Sequence, residues 1–193
     1  MQTINICIFA SGKGSNALNI VRHLETHPTI RVSFILSNKK DAPIVGAAEK
    51  LGIKVITCSN QEVDTPAFLT TICAEYSIDY IVLAGFLRKI PVDLIHKYEN
   101  RMINVHPSLL PKYGGAGMYG DHVHKAVLAN KEKETGITIH YVTQEFDQGQ
   151  HIAQFHTQLN ETDSLETIQH KIHQLEQAYF PFVIEQTILH TLS

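Results

Sequence analysis

Long apolar runs, blocks of like charge and a high cysteine content are all missing from this 193-residue sequence. No apolar stretch reaches the length of a bilayer-spanning helix, which argues against a membrane protein. Cys7, Cys58 and Cys73 are odd in number and widely spaced, so we predict reduced, buried thiols and no disulfide framework. Sixteen basic and nineteen acidic residues give a net charge of −3. This balance argues against nucleic acid or an anionic membrane surface as the main partner.

The N-terminal segment Met1–Ala10 is apolar, but no basic region precedes it and it continues directly into Ser-Gly-Lys-Gly. We interpret this segment as a buried strand and not as a signal peptide. The sequence therefore predicts a cytoplasmic protein without nucleic-acid or membrane partners, and it leaves the oligomeric state open between a monomer and a homodimer.

Composition indicates an ordinary folded domain. Hydrophobic residues make up 44% of the chain and charged residues 18%, which excludes a disordered, collagen-like or coiled-coil protein. The length corresponds to about one domain and is sufficient for a core that needs no disulfide or structural metal. The twelve histidines include His122/His124 and His170/His173. Because no Cys or carboxylate accompanies them at a zinc-type spacing, we predict no metal site.

The first half of the chain alternates strand and helix patterns. Apolar, β-rich runs predict strands over Thr3–Ala10, Val32–Ser37, Lys54–Cys58 and Tyr80–Ala84, and helical spacing predicts helices over Ala17–His27, Ala42–Leu51 and Asp64–Tyr76. Runs as apolar as the last strand are typical of strands buried on both faces. Short links between strands and helices then favour right-handed crossovers. We predict a single-domain α/β protein with a doubly wound, mostly parallel sheet.

The second half has a different pattern. We predict a short helix over Pro91–Lys97, a strand over Arg101–His106, a loop over Leu109–Gly120, a helix over His122–Ala129, and pairing strands over Gly136–Val142 and Gln150–Thr157. A final helix is expected from Leu165 to about Leu189, with Ser164 as its N-cap and Pro181 kinking or interrupting it. We interpret the boundary near residue 100 as a change of role within one domain.

A glycine-rich segment, Gly12-Lys13-Gly14-Ser15-Asn16, follows the first strand and opens the first helix. Glycines permit a tight turn and a close approach of ligand to backbone, and the free N–H groups and dipole of a helix N-terminus attract an anion. We therefore favour a phosphate site over a plain strand-to-helix turn capped by Ser15. The second strand ends in Ser37-Asn38-Lys39-Lys40, without the acid that would hold an NAD ribose. Because Lys39 and Lys40 could instead suit NADP, an NADP-dependent oxidoreductase remains an alternative.

The segment Asn104-Val105-His106-Pro107-Ser108-Leu109-Leu110-Pro111 carries the most specific chemistry. On a strand, Asn104 and His106 share a face about 6.6 Å apart along the chain. An amide donor beside an imidazole can stabilise an oxyanion and move a proton; the alternative is that both only satisfy local backbone groups. Asp147 stands in a turn between two strands and matters for catalysis only if the fold brings it to His106. Thr138 and His140 share a face, with core or supporting roles both open.

These motifs, taken together, resemble the phosphoribosylglycinamide formyltransferases, folate-dependent enzymes of purine biosynthesis, over essentially the whole chain. The Asn-x-His-Pro-Ser-Leu-Leu-Pro run is specific to enzymes that use 10-formyltetrahydrofolate. The Gly-Ser-Asn loop and the short length favour this family over methionyl-tRNA formyltransferase and formyltetrahydrofolate hydrolase, which carry additional domains. The other matching stretches are Ser37–Lys39, Leu83–Arg88, Lys112-Tyr113 and Asp147–Gly149.

The resemblance implies a Rossmann-like formyltransferase fold and a role for each matching residue. Asn104 would polarise the formyl oxygen, His106 would be the general acid, and Asp147 would raise the pKa of His106. The substrate phosphate and ribonucleotide would be bound by Gly12, Gly14, Ser15, Asn16 and Glu176. Folate would be bound by Leu87, Arg88, Lys89, Ile90 and Asn104. Residues 1–100 would form a phosphate-binding half and residues 101–193 a folate and catalytic half.

The implied reaction transfers a formyl group from 10-formyltetrahydrofolate, a co-substrate, to the amine of N1-(5-phosphoribosyl)glycinamide, through a tetrahedral intermediate and with no tightly bound cofactor. Two positions depart from the family pattern. Pro66 stands where the family often has an Arg for the folate tail, and the Gly114–Gly120 loop is longer and richer in glycine than the common form. A non-catalytic sugar-phosphate or folate-binding module is a further alternative, which the presence of Asn104, His106 and Asp147 together argues against.

Overall fold

The computed structural model describes residues 3–191. The strands are β1 (Ile4–Phe9), β2 (Ile30–Ser37), β3 (Val55–Thr57), β4 (Tyr80–Leu83), β5 (Met102–His106), β6 (Glu134–Tyr141) and β7 (His151–Gln158). The helices are α1 (Ser15–Leu24), α2 (Pro43–Glu49), α3 (Asn60–Val63), α4 (Phe68–Glu75), α5 (Val92–Lys97), α6 (Asp121–Ala129) and α7 (Leu165–His190). The sheet order is β3-β2-β1-β4-β5-β6-β7, so the predicted doubly wound, mostly parallel α/β fold is confirmed.

The chain divides into two compact units, one ending at Ile103 and the other beginning at Asn104. In the first unit, β1 pairs in parallel with both β2 and β4, and β2 pairs in parallel with β3. Ile8, for example, lies between Ile35 of β2 and Val82 of β4, and all three side chains are fully buried. Burial on both faces explains the almost continuous apolar sequence of these strands.

The turn from β1 into α1 depends on Gly14. Its φ is +72°, and a Cβ at this position would lie 2.3 Å from Cδ1 of Ile44, so both the backbone conformation and the packing require glycine. Gly14 is itself the N-cap of α1, whereas Ser15 is already the first helical residue. The alternative in which Ser15 caps this helix is therefore wrong.

The helix predicted over Asp64–Tyr76 is shorter in the structure: only α4 (Phe68–Glu75) lies within that range, and α3 (Asn60–Val63) ends before it. α3 ends before the Pro66 turn, and α4 starts only after Ala67, which has a φ of +61°. Proline disfavours helical backbone in the residue before it, which explains the break. α3 begins with a capping box, in which the Ser59 hydroxyl accepts from the Glu62 N–H and the Glu62 carboxylate accepts from the Ser59 N–H.

In the second unit, β6 and β7 form an antiparallel pair, with Thr138 opposite Gln154. The 26-residue α7 packs against both strands, and Phe155 of β7 stacks on Tyr179 at a ring distance of 3.9 Å. Ser164 caps this helix by accepting from the Thr167 N–H at 3.2 Å, as predicted. The helix continues through Pro181, so the expected interruption does not occur. Pro181 is buried in the middle of the helix, where tertiary packing offsets one missing backbone donor.

The three cysteines are free and buried, as predicted, and burial raises the pKa of the Cys58 thiol to about 11. Among residues 3–191, no helix combines the length and apolar character needed to cross a membrane.

Candidate active site

In the first unit, three loops meet at the carboxyl ends of β1, β2 and β4. The Ser11 hydroxyl donates to Oδ1 of Asn38 at 2.6 Å and accepts the Leu87 N–H at 2.9 Å. The Ser11 N–H also donates to the Gly85 carbonyl at 3.0 Å. Ser11 is buried and Asn38 nearly so, and Asn38 is tied in turn to Oδ1 of Asn60 at 2.7 Å. This hydrogen-bond network holds together the glycine-rich loop, the end of β2 and the loop after β4.

The predicted phosphate-binding residues lie in this glycine-rich loop and in the first turn of α1. Ser15 and Asn16 begin the helix, at the end where the helix dipole is positive. Gly14 is sterically required, whereas a Cβ on Gly12 would meet nothing within 4 Å. A glycine turn that leads into a helix N-terminus is an arrangement that favours an anion.

The predicted folate-binding segment Leu87–Ile90 follows β4. Leu87 is 52% exposed, while Ile90 is buried. The Arg88 guanidinium forms an ion pair with Asp64, and its buried Nε has no hydrogen-bond partner. Asp64 lies two residues before Pro66, so the side chain of Arg88 is paired close to this departure from the family pattern.

In the second unit, His106 ends β5 and is 4% exposed. Its Nε2 lies 2.8 Å from the Tyr113 carbonyl oxygen, and its Nδ1 lies 3.4 Å from Oδ2 of Asp147. Both ring nitrogens therefore face oxygen acceptors, so the doubly protonated imidazolium is the form that satisfies both. The structure brings Asp147 to His106 although 40 residues separate them in the chain.

Asp147 lies in the β6–β7 connection with a φ of +57°, a conformation that Asp tolerates better than most residues. Its Oδ2 also accepts the Gly115 N–H at 2.9 Å. A Cβ on Gly114 would lie 2.5 Å from Leu110 and 3.3 Å from Cβ of Asp147. The glycine-rich Gly114–Gly120 loop thus packs closely against this carboxylate and supplies one of its donors.

Asn104 is held by a buried histidine whose role the sequence left open. The Nδ1 of His140 donates to the Tyr141 carbonyl at 2.8 Å, which leaves Nε2 as an acceptor for the Asn104 amide at 3.1 Å. Burial lowers the pKa of His140, although Asp147, 3.7 Å away, opposes this effect. The neutral Nδ1–H tautomer is therefore favoured. One amide hydrogen of Asn104 is bound to His140 and the second remains for a ligand.

Thr138 anchors the loop that follows β5. Its hydroxyl donates to the Ser108 carbonyl at 2.7 Å and accepts from the Leu110 N–H at 3.0 Å. The only sequence signal for Thr138 and His140 is their common face on β6. Glu176, predicted to bind substrate, lies on α7 with its Oε2 3.9 Å from Nδ1 of His173. Within residues 3–191, no group of three or more His, Cys, Asp or Glu side chains is arranged to hold a metal ion.

Comparison with known proteins agrees with this arrangement. Residues 4–184 match the model of the formyl transferase family. Phosphoribosylglycinamide formyltransferase of Bacillus subtilis is 34% identical over 186 residues, covering 94% of this chain and 93% of that protein. The Escherichia coli protein of the same name is 35% identical over 188 residues, covering 94% and 85%. The chain spans only 63% and 59% of the lengths of the chloroplastic relatives from Arabidopsis thaliana and Vigna unguiculata.

Solved structures give the same result. The phosphoribosylglycinamide formyltransferase of Bacillus halodurans superimposes with a TM-score of 0.85 at 32% identity, covering 94% of both chains. The resemblance inferred from the sequence is thus confirmed, and the chain belongs to the formyl transferase family.

Proposed function

We propose that this chain transfers the formyl group of 10-formyltetrahydrofolate to the amine of N1-(5-phosphoribosyl)glycinamide, a step of purine (IMP) biosynthesis. The observation that carries the proposal is the second unit's cluster: a buried His106 facing Asp147, beside an Asn104 amide with a fixed orientation. Family membership and the names of the relatives support the same reaction.

The chemistry follows from these groups. The substrate amine attacks the formyl carbon, a C–N bond forms, and the formyl oxygen becomes an oxyanion. The free amide hydrogen of Asn104 and the imidazolium of His106 stabilise that charge, and one such donor is typically worth about 10²–10³-fold in rate. Collapse of the intermediate breaks the bond to the folate nitrogen. His106 then supplies its proton to that nitrogen, and the proton lost by the attacking amine restores the imidazolium.

The Asp147 carboxylate stabilises the imidazolium before transfer. No covalent enzyme intermediate is needed, and we assign the folate the role of a co-substrate. Holding two substrates in reactive geometry is a further large contribution.

The substrates are assigned to the segments that match the family motifs. The ribonucleotide phosphate is bound by the Gly12–Asn16 loop, with Gly12, Gly14, Ser15 and Asn16 contributing mainly backbone donors, and Glu176 contacts the ribonucleotide. The folate ring is bound by Leu87–Ile90, chiefly through backbone groups. Residues 1–100 and 101–193 are thus two functional halves of one domain.

The decisive experiment is an assay of the purified chain with N1-(5-phosphoribosyl)glycinamide and 10-formyltetrahydrofolate, with formyl transfer to methionyl-tRNA as the control reaction. We expect the first activity and not the second, and Asn104→Ala should reduce kcat by about 10²-fold or more. Binding of a nicotinamide cofactor, measured by fluorescence, without any formyl transfer would contradict the proposal and favour the oxidoreductase alternative.

A further inference from the structure

Glu132 lies in the connection between α6 and β6 and binds two consecutive residues of the loop that follows β5. Its carboxylate accepts from Nζ of Lys112 at 3.0 and 3.1 Å and from the Tyr113 hydroxyl at 2.8 Å. Lys112 is largely exposed, whereas the Glu132 side chain is 22% exposed. The carboxylate therefore connects this loop to the segment between α6 and β6 without contacting His106 through a hydrogen bond of its own.

The same loop contacts both members of the His106–Asp147 pair through its backbone. The Tyr113 carbonyl accepts from Nε2 of His106 at 2.8 Å, and the Gly115 N–H donates to Oδ2 of Asp147 at 2.9 Å. A shift of residues 113–115 would therefore displace the acceptor at Nε2 of His106 and, at the same time, the donor to the carboxylate of Asp147.

Tyr113 has a φ of +57°, which is unusual for a bulky residue and persists only where surrounding contacts enforce it. Its side chain supplies such a contact, namely the hydrogen bond to Glu132. This bond is stable over a wide pH range. Lys112 and Tyr113 lower the pKa of the Glu132 carboxyl, and burial together with Glu132 raises the pKa of the Tyr113 hydroxyl to about 12.

We propose that Glu132 is a positioning residue, which acts through Tyr113 to fix the orientation and tautomer of His106 beside Asp147. The expected effect on catalysis rests on the proposed function, whereas the expected effect on the orientation and tautomer of His106 does not depend on it. With Nε2 bound to the Tyr113 carbonyl, Nδ1 is the nitrogen that faces Asp147 and carries the exchangeable proton. Without the hydrogen bond to Glu132, we expect Tyr113 to leave its strained conformation, and the His106 ring is then no longer held in one orientation.

The test uses four variants of the full chain. Glu132→Ala removes the anchor, Tyr113→Phe removes only the hydroxyl, and Glu132→Gln keeps an oxygen that can accept from Tyr113. Lys112→Met is the matched control, because it removes the other partner of Glu132 and leaves the Tyr113 bond in place.

We expect Glu132→Ala and Tyr113→Phe each to lower kcat about tenfold, the size typical of one lost charge-assisted hydrogen bond. The KM values for both substrates should stay within about twofold, since a positioning residue acts on the transition state rather than on binding. Glu132→Gln should recover most of the loss, and Lys112→Met should resemble the unmodified protein. The double variant Glu132→Ala/Tyr113→Phe should be little worse than either single variant.

Nitrogen-15 NMR of the His106 ring, recorded without substrates, is the second measurement. The other titratable groups that interact with His106, namely Asp147, His140 of β6 and His124 of α6, are unchanged in all four variants. At a pH high enough for the ring to be neutral, we expect one dominant tautomer, protonated at Nε2, in the unmodified protein and in Lys112→Met, and a mixture of tautomers in Glu132→Ala and Tyr113→Phe.

A lower melting temperature in Glu132→Ala and Tyr113→Phe with unchanged kcat and unchanged His106 signals would overturn the proposal and leave Glu132 as a stabilising residue only. The expected NMR changes in a protein that shows no formyl transfer would support the structural link and contradict the proposed function instead. The two failures are therefore distinguishable.

Discussion

The Nδ1 atom of His106 lies 3.4 Å from Oδ2 of Asp147, and the same carboxylate lies 3.7 Å from Nε2 of His140. One acid thus faces two buried histidines with different roles. His106 has oxygen acceptors at both nitrogens and is suited to carry a positive charge. His140 donates from Nδ1 to a carbonyl and accepts at Nε2, which suits the neutral form. His140 holds Asn104, and we propose that His106 is the ring that transfers a proton.

Replacing Asp147 by Asn tests the pair, because the amide keeps the shape and removes the charge. We expect kcat to fall at least about tenfold, on the low side of what general acid–base catalysis typically contributes, because the imidazolium loses the carboxylate that faces it at 3.4 Å. His106→Ala should be at least as damaging, and the double variant little worse than the more damaged single variant. Full activity in Asp147→Asn would contradict a catalytic pair.

Gly14→Val tests the phosphate site. A side chain here would meet Ile44 at 2.3 Å in a backbone conformation with φ of +72°, so the loop must rearrange and the KM for the ribonucleotide should rise. The same strain should lower the free energy of unfolding by about 1–3 kcal/mol. Gly46→Ala is the matched control, because a Cβ there also has open space and Gly46 lies in α2, outside the phosphate loop. Isothermal titration with each substrate separates the effects: folate affinity lost while ribonucleotide affinity is kept would refute the assignment.

Arg88→Ala tests whether folate is recognised mainly by backbone and shape. Because the guanidinium is paired with Asp64, its loss should weaken folate binding by only about 0.5–1.5 kcal/mol, the usual range for one hydrogen bond. Asp64→Asn, which breaks the same ion pair from the other side, serves as the control and should have a similarly small effect. Binding constants from fluorescence titration provide the measurement, and a loss of several kcal/mol in Arg88→Ala alone would identify its side chain as a direct folate anchor.

The stability of the protein should fall in mild acid. Burial lowers the pKa of both His124 and His140, whereas histidine in the unfolded chain titrates near about 6.5. Below that pH the unfolded chain binds more protons than the folded one, so the free energy of unfolding decreases as the pH falls through the folded-state values. Denaturant titrations from pH 8 to 5 measure this slope. His124→Gln should make it shallower, while the exposed His170→Gln should not; identical slopes in all three proteins would disprove the assignment.

The helices near Pro66 and Pro181 show how reliably a local sequence pattern predicts the limits of an element. The apolar run of β4 and the Ser164 cap of α7 are local signals, and both predictions were correct. The helix predicted from Asp64 begins only at Phe68, after the turn that contains Pro66. At Pro181 the predicted interruption does not occur, because buried packing around α7 offsets the missing donor. Proline therefore delays a helix in an exposed turn and is accommodated within a helix in the core.

The sequence by itself determined the elements whose causes lie within a few residues. These are the doubly buried strands, the glycine turn before α1, and the side-by-side placement of Asn104 and His106 on β5. Only the tertiary structure decided which partners these side chains meet. Ser11 reaches Asn38 and Leu87, His140 reaches Asn104, and Glu132 reaches Tyr113 across 19 to 76 residues of chain. Such contacts depend on how distant segments pack together, and no spacing within one segment encodes them.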